Sequence, residues 1–273
     1  MKRWFYSLAA ALALGVPVAA AADDQEVRQL KSKDTLDPAS GKAYFYYETD
    51  VNKFDVFFLR SMTEDEQDQF VTGRTAELAE ARAKLRERRD GAPGVSDEEL
   101  LPDAAFAYVD EDIRNLVRLD SGRVYEKDGD RRTYVVEVPP GEYTIFAAGV
   151  DGFTGGTCMC MGTVSFDAPA GAIVDLGTIL VAEEDGPEEI PELAAYEAPE
   201  YIRRKALPFK IALRLPAKGD PKPALFDESP TVPAQFRVAG PIPNFLGMLV
   251  NRMAPIEGVL SYDEDRVVEA TSR

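Results

Sequence analysis

Residues 133–147 read TYVVEVPPGEYTIFA, and this stretch decides the fold class. Both flanks of the central PPG are rich in β-branched and aromatic residues, which favour β-strands. Pro139-Pro140-Gly141 matches a type II turn, because proline presets the first central position and glycine accepts the positive φ of the next. The stretch therefore predicts two short strands joined by a tight turn.

Similar strand signals recur along the chain, separated by turn residues. Asp120-Ser-Gly122 is predicted to close a hairpin, and residues 263–265 a second one near the end. Many short strands at this spacing predict a mainly β protein, specifically an antiparallel β-sandwich. The predicted strands are residues 42–48, 53–60, 113–119, 123–126, 133–138, 142–147, 162–166, 172–181, 207–215, 259–262 and 266–269.

Residues 61–107 interrupt this pattern and are predicted to be a helical insertion. Thr63 and Glu66 have the spacing of a capping box, in which each side chain satisfies the other residue's free amide. The following segment to about Arg89 lacks proline and carries one apolar stripe at helical spacing, formed by Phe70, Leu78, Ala81 and Leu85. Ser96 and Glu99 predict the cap of a short second helix.

The remaining composition divides the chain into further segments. Residues 23–41 are a polar lead-in, and residues 42–182 are the predicted sandwich domain. Residues 183–206 begin with an acidic, proline-punctuated run and are predicted to be a linker. Residues 207–273 form a proline-rich C-terminal extension with short strands, in which residues 245–253 are expected to form one or two helical turns.

Residues 1–22 have the three-part plan of a secretory signal peptide. Lys2 and Arg3 precede an apolar stretch from Trp4 to Val18, and cleavage is expected after one of Ala20 to Ala22. The apolar stretch is shorter than the roughly 20 residues that cross a bilayer. The sequence therefore predicts a soluble protein exported to the periplasm or secreted, in a compartment that permits disulfides.

Composition excludes several classes of function. The chain has 273 residues, 31 basic against 48 acidic, and a formal net charge of −17, which disfavours binding to nucleic acid or to anionic lipid. Because there is no histidine, a Ser-His-Asp triad and a His-ligated zinc site are excluded. A glycosidase-like hydrolase needs only two carboxylates, so that class of enzyme stays open as a less favoured alternative.

One segment places four sulfur-containing residues together. Residues 155–162 read GGTCMCMG, and in a strand Cys158 and Cys160 would face one side while Met159 and Met161 face the other. Three arrangements are open: a Cys158–Cys160 disulfide, two buried thiols, or a soft-metal site for Cu(I). The disulfide requires a bend, because Cα atoms two residues apart in a strand lie about 6.6 Å apart. The flanking glycines permit that bend.

Three acidic clusters are the other candidates for ligand binding. Residues 110–112, 128–130 and 263–265 each place two aspartates two positions apart. None has the ligand spacing of an EF-hand calcium loop, so solvated turns are the interpretation that the sequence favours.

Two segments carry a resemblance to a known class of domain. Val138-Pro-Pro-Gly-Glu-Tyr-Thr-Ile145, and later residues 166–179 reading FDAPAGAIVDLGTI, resemble the carboxypeptidase-regulatory-like or transthyretin-like β-sandwich domains. Ala43-Tyr-Phe-Tyr-Tyr47 resembles the first strand of small bacterial envelope proteins that share the Pro-Gly-x-Tyr hairpin. The resemblance covers roughly residues 42–181 and implies an adhesive, scaffold or carrier role. The chain departs from it by its helical insertion and its C-terminal third.

These observations lead to one expectation and one main alternative. We expect an exported cell-envelope protein that acts by contact with another envelope protein, rather than an enzyme. The alternative is handling of Cu(I) or of thiols at Cys158, Met159, Cys160 and Met161.

Overall fold

The computed structural model describes most of the chain after the predicted signal peptide. The described residues are 27–88, 94–110, 112–113, 115–150, 156–183, 190–194, 196, 209–217, 219–220, 222–223, 226, 231–244, 247–264 and 266–270. The signal peptide predicted for residues 1–22 lies outside them. Among these residues, no helix combines the length and the hydropathy that crossing a membrane requires.

The chain is mainly β, with two packed mixed sheets and one long inserted helix. The first sheet contains β1 (Arg28–Gln29), β2 (Ala43–Thr49), β5 (Glu126–Asp128), β6 (Arg131–Val138), β10 (Ile173–Glu183), β11 (Phe209–Arg214) and β12 (Thr231–Pro233). The second contains β3 (Phe54–Arg60), β4 (Leu116–Leu119), β7 (Gly141–Val150), β8 (Gly156–Cys158), β9 (Thr163–Ala168), β13 (Arg237–Ala239) and β14 (Leu249–Val250). A separate hairpin contains β15 (Leu260–Asp263) and β16 (Arg266–Glu269).

Helices occupy three places in the described chain. The long helix is α1 (Glu64–Arg88), and the short ones are α2 (Asp97–Leu100) and α3 (Pro191–Ala194). Single 3₁₀ turns lie at Pro38–Ser40 and Asp103–Ala105.

The turn at Pro139-Pro140-Gly141 connects the two sheets instead of closing a hairpin. It joins β6 of the first sheet to β7 of the second. Gly141 does not adopt the positive φ that a type II turn would require of it. The predicted type II turn is therefore wrong, although both predicted strands are present. A corner suits this sequence because Val136 of β6 and Ile145 of β7 both enter the same core from opposite sheets.

The hairpin predicted at Asp120-Ser-Gly122 is also wrong. β4 belongs to the second sheet and β5 to the first, so this segment crosses between the sheets. Its backbone is held by side chains of both: the Asp55 carboxylate accepts from the Ser121 N–H at 2.9 Å, and the Gln29 side chain accepts from the Asp120 N–H at 2.9 Å.

The sheets are mixed, where the sequence predicted antiparallel pairing throughout. β2 and β10 are parallel, with Phe45 opposite Val174, and β12 pairs parallel with β10. In the second sheet, β14 pairs parallel with β8. Parallel neighbours need long connections. The connections from β2 to β10 and from β8 to β14 include strands of the other sheet, which no local turn signal reveals.

The core between the sheets is centred on aromatic side chains. Phe45 of the first sheet lies with its ring centroid 4.8 Å from that of Phe58, 5.5 Å from Tyr143 and 5.3 Å from Phe166, all in the second sheet. All four are fully buried. Aromatic pairs at these separations add to the hydrophobic stabilisation that their burial provides.

The helical insertion confirms the sequence prediction. The Thr63 N–H donates to the Glu66 carboxylate at 2.8 Å and the Glu66 N–H donates to the Thr63 hydroxyl at 3.3 Å, which is the predicted capping box. The insertion leaves and rejoins the second sheet at one point, where the Arg60 N–H donates to the Asn115 carbonyl at 2.8 Å.

The C-terminal third contains one confirmed strand and one confirmed hairpin. β11 falls within the strand predicted for 207–215, and β15 and β16 form the predicted final hairpin. The helical turns expected over 245–253 are contradicted by β14 at Leu249–Val250, while residues 245–246 lie outside the described chain. Pairing with β8 fixes this segment as a strand.

The described part of the predicted linker is not wholly solvated. Leu193 of α3 and Tyr196 are buried against Leu180, Ala212 and Ala254. The acidic run at 184–189 lies outside the described residues.

Candidate functional site

The cysteine segment forms a bend at the end of β8. The strand ends at Cys158, and the Gly162 N–H donates to the Met159 carbonyl at 3.0 Å, which closes a turn. The sulfurs of Cys158 and Cys160 are bonded, and their Cα atoms lie 5.2 Å apart. The structure thus holds the first of the three arrangements that the sequence left open.

Met159 lies on the opposite side of the second sheet from the two cysteines, while Met161 is half-buried and belongs to neither apolar cluster. Met159 is buried in the core between the sheets, whereas Cys158 and Cys160 belong to a smaller apolar cluster that includes Phe57 and Phe146. A Cu(I) site would therefore require reduction of the disulfide and movement of Met159 out of the main core. Copper handling here stays a prediction.

Copper binding can be measured directly on the oxidised protein. With the disulfide intact, we expect no competition with a Cu(I) chelator under anaerobic conditions, because disulfide sulfurs are poor ligands compared with thiolates. Two samples serve as comparisons. One is protein that has been reduced with a phosphine and then separated from the phosphine, and the other is a Cys158→Ser/Cys160→Ser variant. Uptake of one Cu(I) per chain by protein whose intact mass shows the disulfide would contradict this expectation.

A C-terminal segment covers the cysteine turn, and we call residues 240–244 and 247–251 the strap. The Ile242 N–H donates to the Cys160 carbonyl at 2.8 Å, and the Asn251 N–H donates to the Cys158 carbonyl at 2.7 Å. In return, the Met161 N–H donates to the Asn251 carbonyl at 3.0 Å. The strap is thus fastened to the backbone of both cysteines.

Asn251, at the end of the strap, connects both sheets. Its side-chain amide donates to the Phe209 carbonyl of the first sheet at 3.0 Å, while its backbone N–H donates to Cys158. Its side-chain oxygen accepts from the Tyr196 hydroxyl and from the Arg252 N–H. Asn251 is buried, so these bonds are shielded from water.

The helical arm, which we define as the described residues between 61 and 113, presents a long and largely exposed helix. Leu78 is the one buried residue of α1, and Val71 is 54% exposed. The Arg82 guanidinium donates to the Leu101 carbonyl at 3.0 and 2.7 Å, which fastens the segment after α2 to α1. A shallow groove of about 290 Å³ lies between them, lined by Thr75, Leu78, Ala79, Arg82, Ala83, Arg86, Asp97 and Asp103.

An ion pair fixes the base of the helical arm to the second sheet. The Arg60 guanidinium donates to the Glu66 carboxylate at 3.0 and 2.5 Å. This bond holds the pKa of Glu66 at about 2, well below its ordinary value of 4.5. Arg60 is buried, so the pair is less screened than a surface ion pair.

Replacement of this carboxylate should alter the pH dependence of stability. Because the folded pKa of Glu66 is lowered, its stabilisation is present above pH 4.5 and is lost as the pH falls toward 2. We expect Glu66→Gln to lower the free energy of unfolding by about 2 kcal/mol at pH 7. The difference from wild type should shrink in urea titrations between pH 4.5 and pH 2. The exposed Glu77 of the same helix provides the control Glu77→Gln, and an equal loss in both variants would contradict this account.

The acidic clusters do not form ligand sites in the described chain. Asp110 accepts from the Asp112 N–H at 3.0 Å and from the Gln69 side chain at 3.2 Å, as a turn-stabilising carboxylate does. Among the described residues, no three acidic or cysteine side chains are close enough to hold a metal ion. Asp265 of the last cluster lies outside these residues.

One half-buried carboxyl, that of Glu48, has a raised pKa, which is the direction of shift that favours a general acid. Burial raises the pKa of Glu48, with Asp175 and Asp220 adding to the rise and Arg131 opposing it. The neighbouring Tyr46 hydroxyl is buried close to Asp175, and burial raises its pKa too. A glycosidase also needs a second carboxylate across a substrate cleft, so the hydrolase alternative stays a prediction.

Sequence reasoning missed two buried polar residues. Asp55 accepts from the Arg118 guanidinium at 2.9 and 2.6 Å and from the Ser121 N–H, and Asn251 joins the sheets. The signal for Asp55 is a charged residue inside an otherwise apolar strand, Lys53-Phe-Asp-Val-Phe-Phe-Leu-Arg60. No comparable signal marks Asn251, since its partners lie far away in the chain.

Comparisons with protein-family models, curated proteins and solved structures find no match for this chain. The resemblance to carboxypeptidase-regulatory-like domains therefore stays a prediction.

Proposed function

We propose that this chain is an exported cell-envelope protein that acts without catalysis, by presenting the helical arm to another envelope protein. The observation that carries this proposal is the exposure of α1, whose one buried residue is Leu78. A 25-residue helix with one buried residue contributes little to the core. Contacts with a partner are the role for which such an exposed helix is best placed.

The way in which the arm is attached supports the same role. Both of its ends lie at one point of the second sheet, at Arg60 and Asn115, whose backbones are hydrogen-bonded. An insertion attached in this way leaves the strand pairing of β3 with β4 intact. The two packed sheets, which we interpret as a β-sandwich like that of the resembled class, then form a rigid support for the arm.

Charge and location narrow the class of partner. The first turn of α1 carries Glu64, Asp65 and Glu66, and the whole chain is acidic, so the arm suits a basic or polar protein surface rather than nucleic acid. The signal-peptide plan of residues 1–22 supports an encounter outside the cytoplasm.

Site-specific photo-cross-linking in the native envelope tests the proposal. A photoreactive residue at Ala76 or Ala79, on the exposed face of α1, should yield one discrete adduct of constant mass. The matched position is Lys127 on β5, which is also exposed but lies in the first sheet. Equal adducts from Lys127, or none from either arm position, would overturn the proposal.

A further inference from the structure

We propose that the Cys158–Cys160 disulfide is a redox-sensitive latch that holds the strap on the second sheet. Reduction of this bond would release the strap and uncover the apolar cluster beneath it. The inference goes beyond the proposed interaction role and does not depend on the partner of the helical arm.

The backbone contacts of the strap converge on the bridged residues. The carbonyls of Cys158 and Cys160 accept from the Asn251 and Ile242 N–H groups at 2.7 and 2.8 Å. β14 adds parallel pairing, with Val250 opposite Cys158. The bridge keeps the two cysteine Cα atoms 5.2 Å apart, whereas an extended chain separates them by about 6.6 Å. Extension after reduction would therefore move the two acceptor carbonyls relative to each other.

The packing of side chains around the disulfide also makes the position of the strap sensitive to reduction. Cys158 is 0% and Cys160 3% exposed, in a cluster with Phe57 and Phe146 below and with Ile242 and Met248 of the strap above. Two unbonded sulfurs must separate from the bonded distance of about 2.05 Å to van der Waals contact. A close-packed interior has no free volume for that movement, so the covering strap must shift.

A dithiol is the co-reactant that supplies the electrons for the reduction. A thiolate of the dithiol attacks one cysteine sulfur, forms a mixed disulfide, and expels the other cysteine as a thiolate that takes up a proton. The second thiol of the reductant then displaces the remaining cysteine. The dithiol becomes a disulfide, and the protein gains two electrons and two protons. Since both sulfurs are buried, the attack requires the strap to open first.

Hydrogen exchange measured by mass spectrometry on the full chain tests the latch. Oxidised and dithiol-reduced protein are compared after intact mass has confirmed the two-hydrogen difference. We expect the amides of Ile242 and Asn251 to exchange about tenfold faster in the reduced form. The amides of β2 and β6 should keep their protection. Unchanged exchange in the strap, or loss of protection throughout the chain, would overturn the proposal.

The rate of reduction tests the gating by the strap independently. Met248→Ala removes the side chain that covers Gly156 and the disulfide, so reduction by a dithiol should become about tenfold faster. Met62→Ala removes a methionine at the base of the helical arm and should leave the rate unchanged. Equal rates for Met248→Ala and wild type would overturn the gate. A Cys158→Ser/Cys160→Ser variant should match the reduced protein in strap exchange.

Discussion

Phe45→Ala is expected to lower the free energy of unfolding by about 4 kcal/mol, the largest loss we predict for a single substitution. Phe45 is fully buried, and its ring lies 4.8 to 5.5 Å from those of Phe58, Tyr143 and Phe166. Because those three belong to the other sheet, the alanine variant would leave a cavity where the two sheets meet. Urea denaturation followed by circular dichroism measures the change.

The matched control removes an aromatic ring from the helical arm. Phe106 is half-buried and lies beneath the Arg74 guanidinium, 5.8 Å from the ring centroid. We expect Phe106→Ala to cost about 1 kcal/mol or less. Similar losses for Phe45→Ala and Phe106→Ala would contradict the placement of the core between the sheets.

Asn251→Ala is expected to lower the free energy of unfolding by about 3 kcal/mol. The substitution removes the acceptor of the Arg252 N–H and the donor to the Phe209 carbonyl, and each such buried group left unpaired costs about 1 to 3 kcal/mol. It also releases the strap from the first sheet, so the effect should extend to the β8–β14 pairing.

Asn52→Ala provides the control for this prediction, since Asn52 is exposed in the connection between β2 and β3. It should change stability by no more than about 0.5 kcal/mol. The same urea titration measures both variants. A loss of stability for Asn251→Ala within that range would show that the Asn251 side chain contributes little to holding the sheets together.

Signals within short stretches of sequence allowed the strands and the long helix to be predicted. Which strands pair with each other could not be predicted from such signals. The capping box at Thr63 and Glu66 sets the start of α1 through contacts three residues apart, so a short window of sequence contains it. Pro139-Pro140-Gly141 signals a change of direction equally well. Whether the next strand pairs with the last or enters the opposite sheet depends on distant residues, here Tyr143 against Phe45.

One part of the candidate site could likewise be predicted from the sequence, and another part could not. The flanking glycines permit the bend at Cys158 and Cys160, and Met159 faces away from the cysteines as the alternation of the sequence predicts, although the strand ends at Cys158. The strap could not be predicted, because residues 245–253 have apolar spacing suited to a helical turn, whereas Leu249–Val250 form β14 by pairing with β8. Tertiary pairing overrides local propensity in such segments.

Excision of the helical arm tests the central claim most directly. Residues 62–113 would be replaced by a four-residue turn, which can span the gap because Leu59 and Leu116 are directly paired in β3 and β4. We predict that the excised protein keeps the amide protection of β2, β6 and β7. A photoreactive residue beside the excision point, placed in both proteins, should give the envelope adduct in the full chain and no adduct in the excised protein. A folded excised protein that still forms the adduct, or one whose sheets unfold without the arm, would contradict the claim that the sheets support an interaction arm.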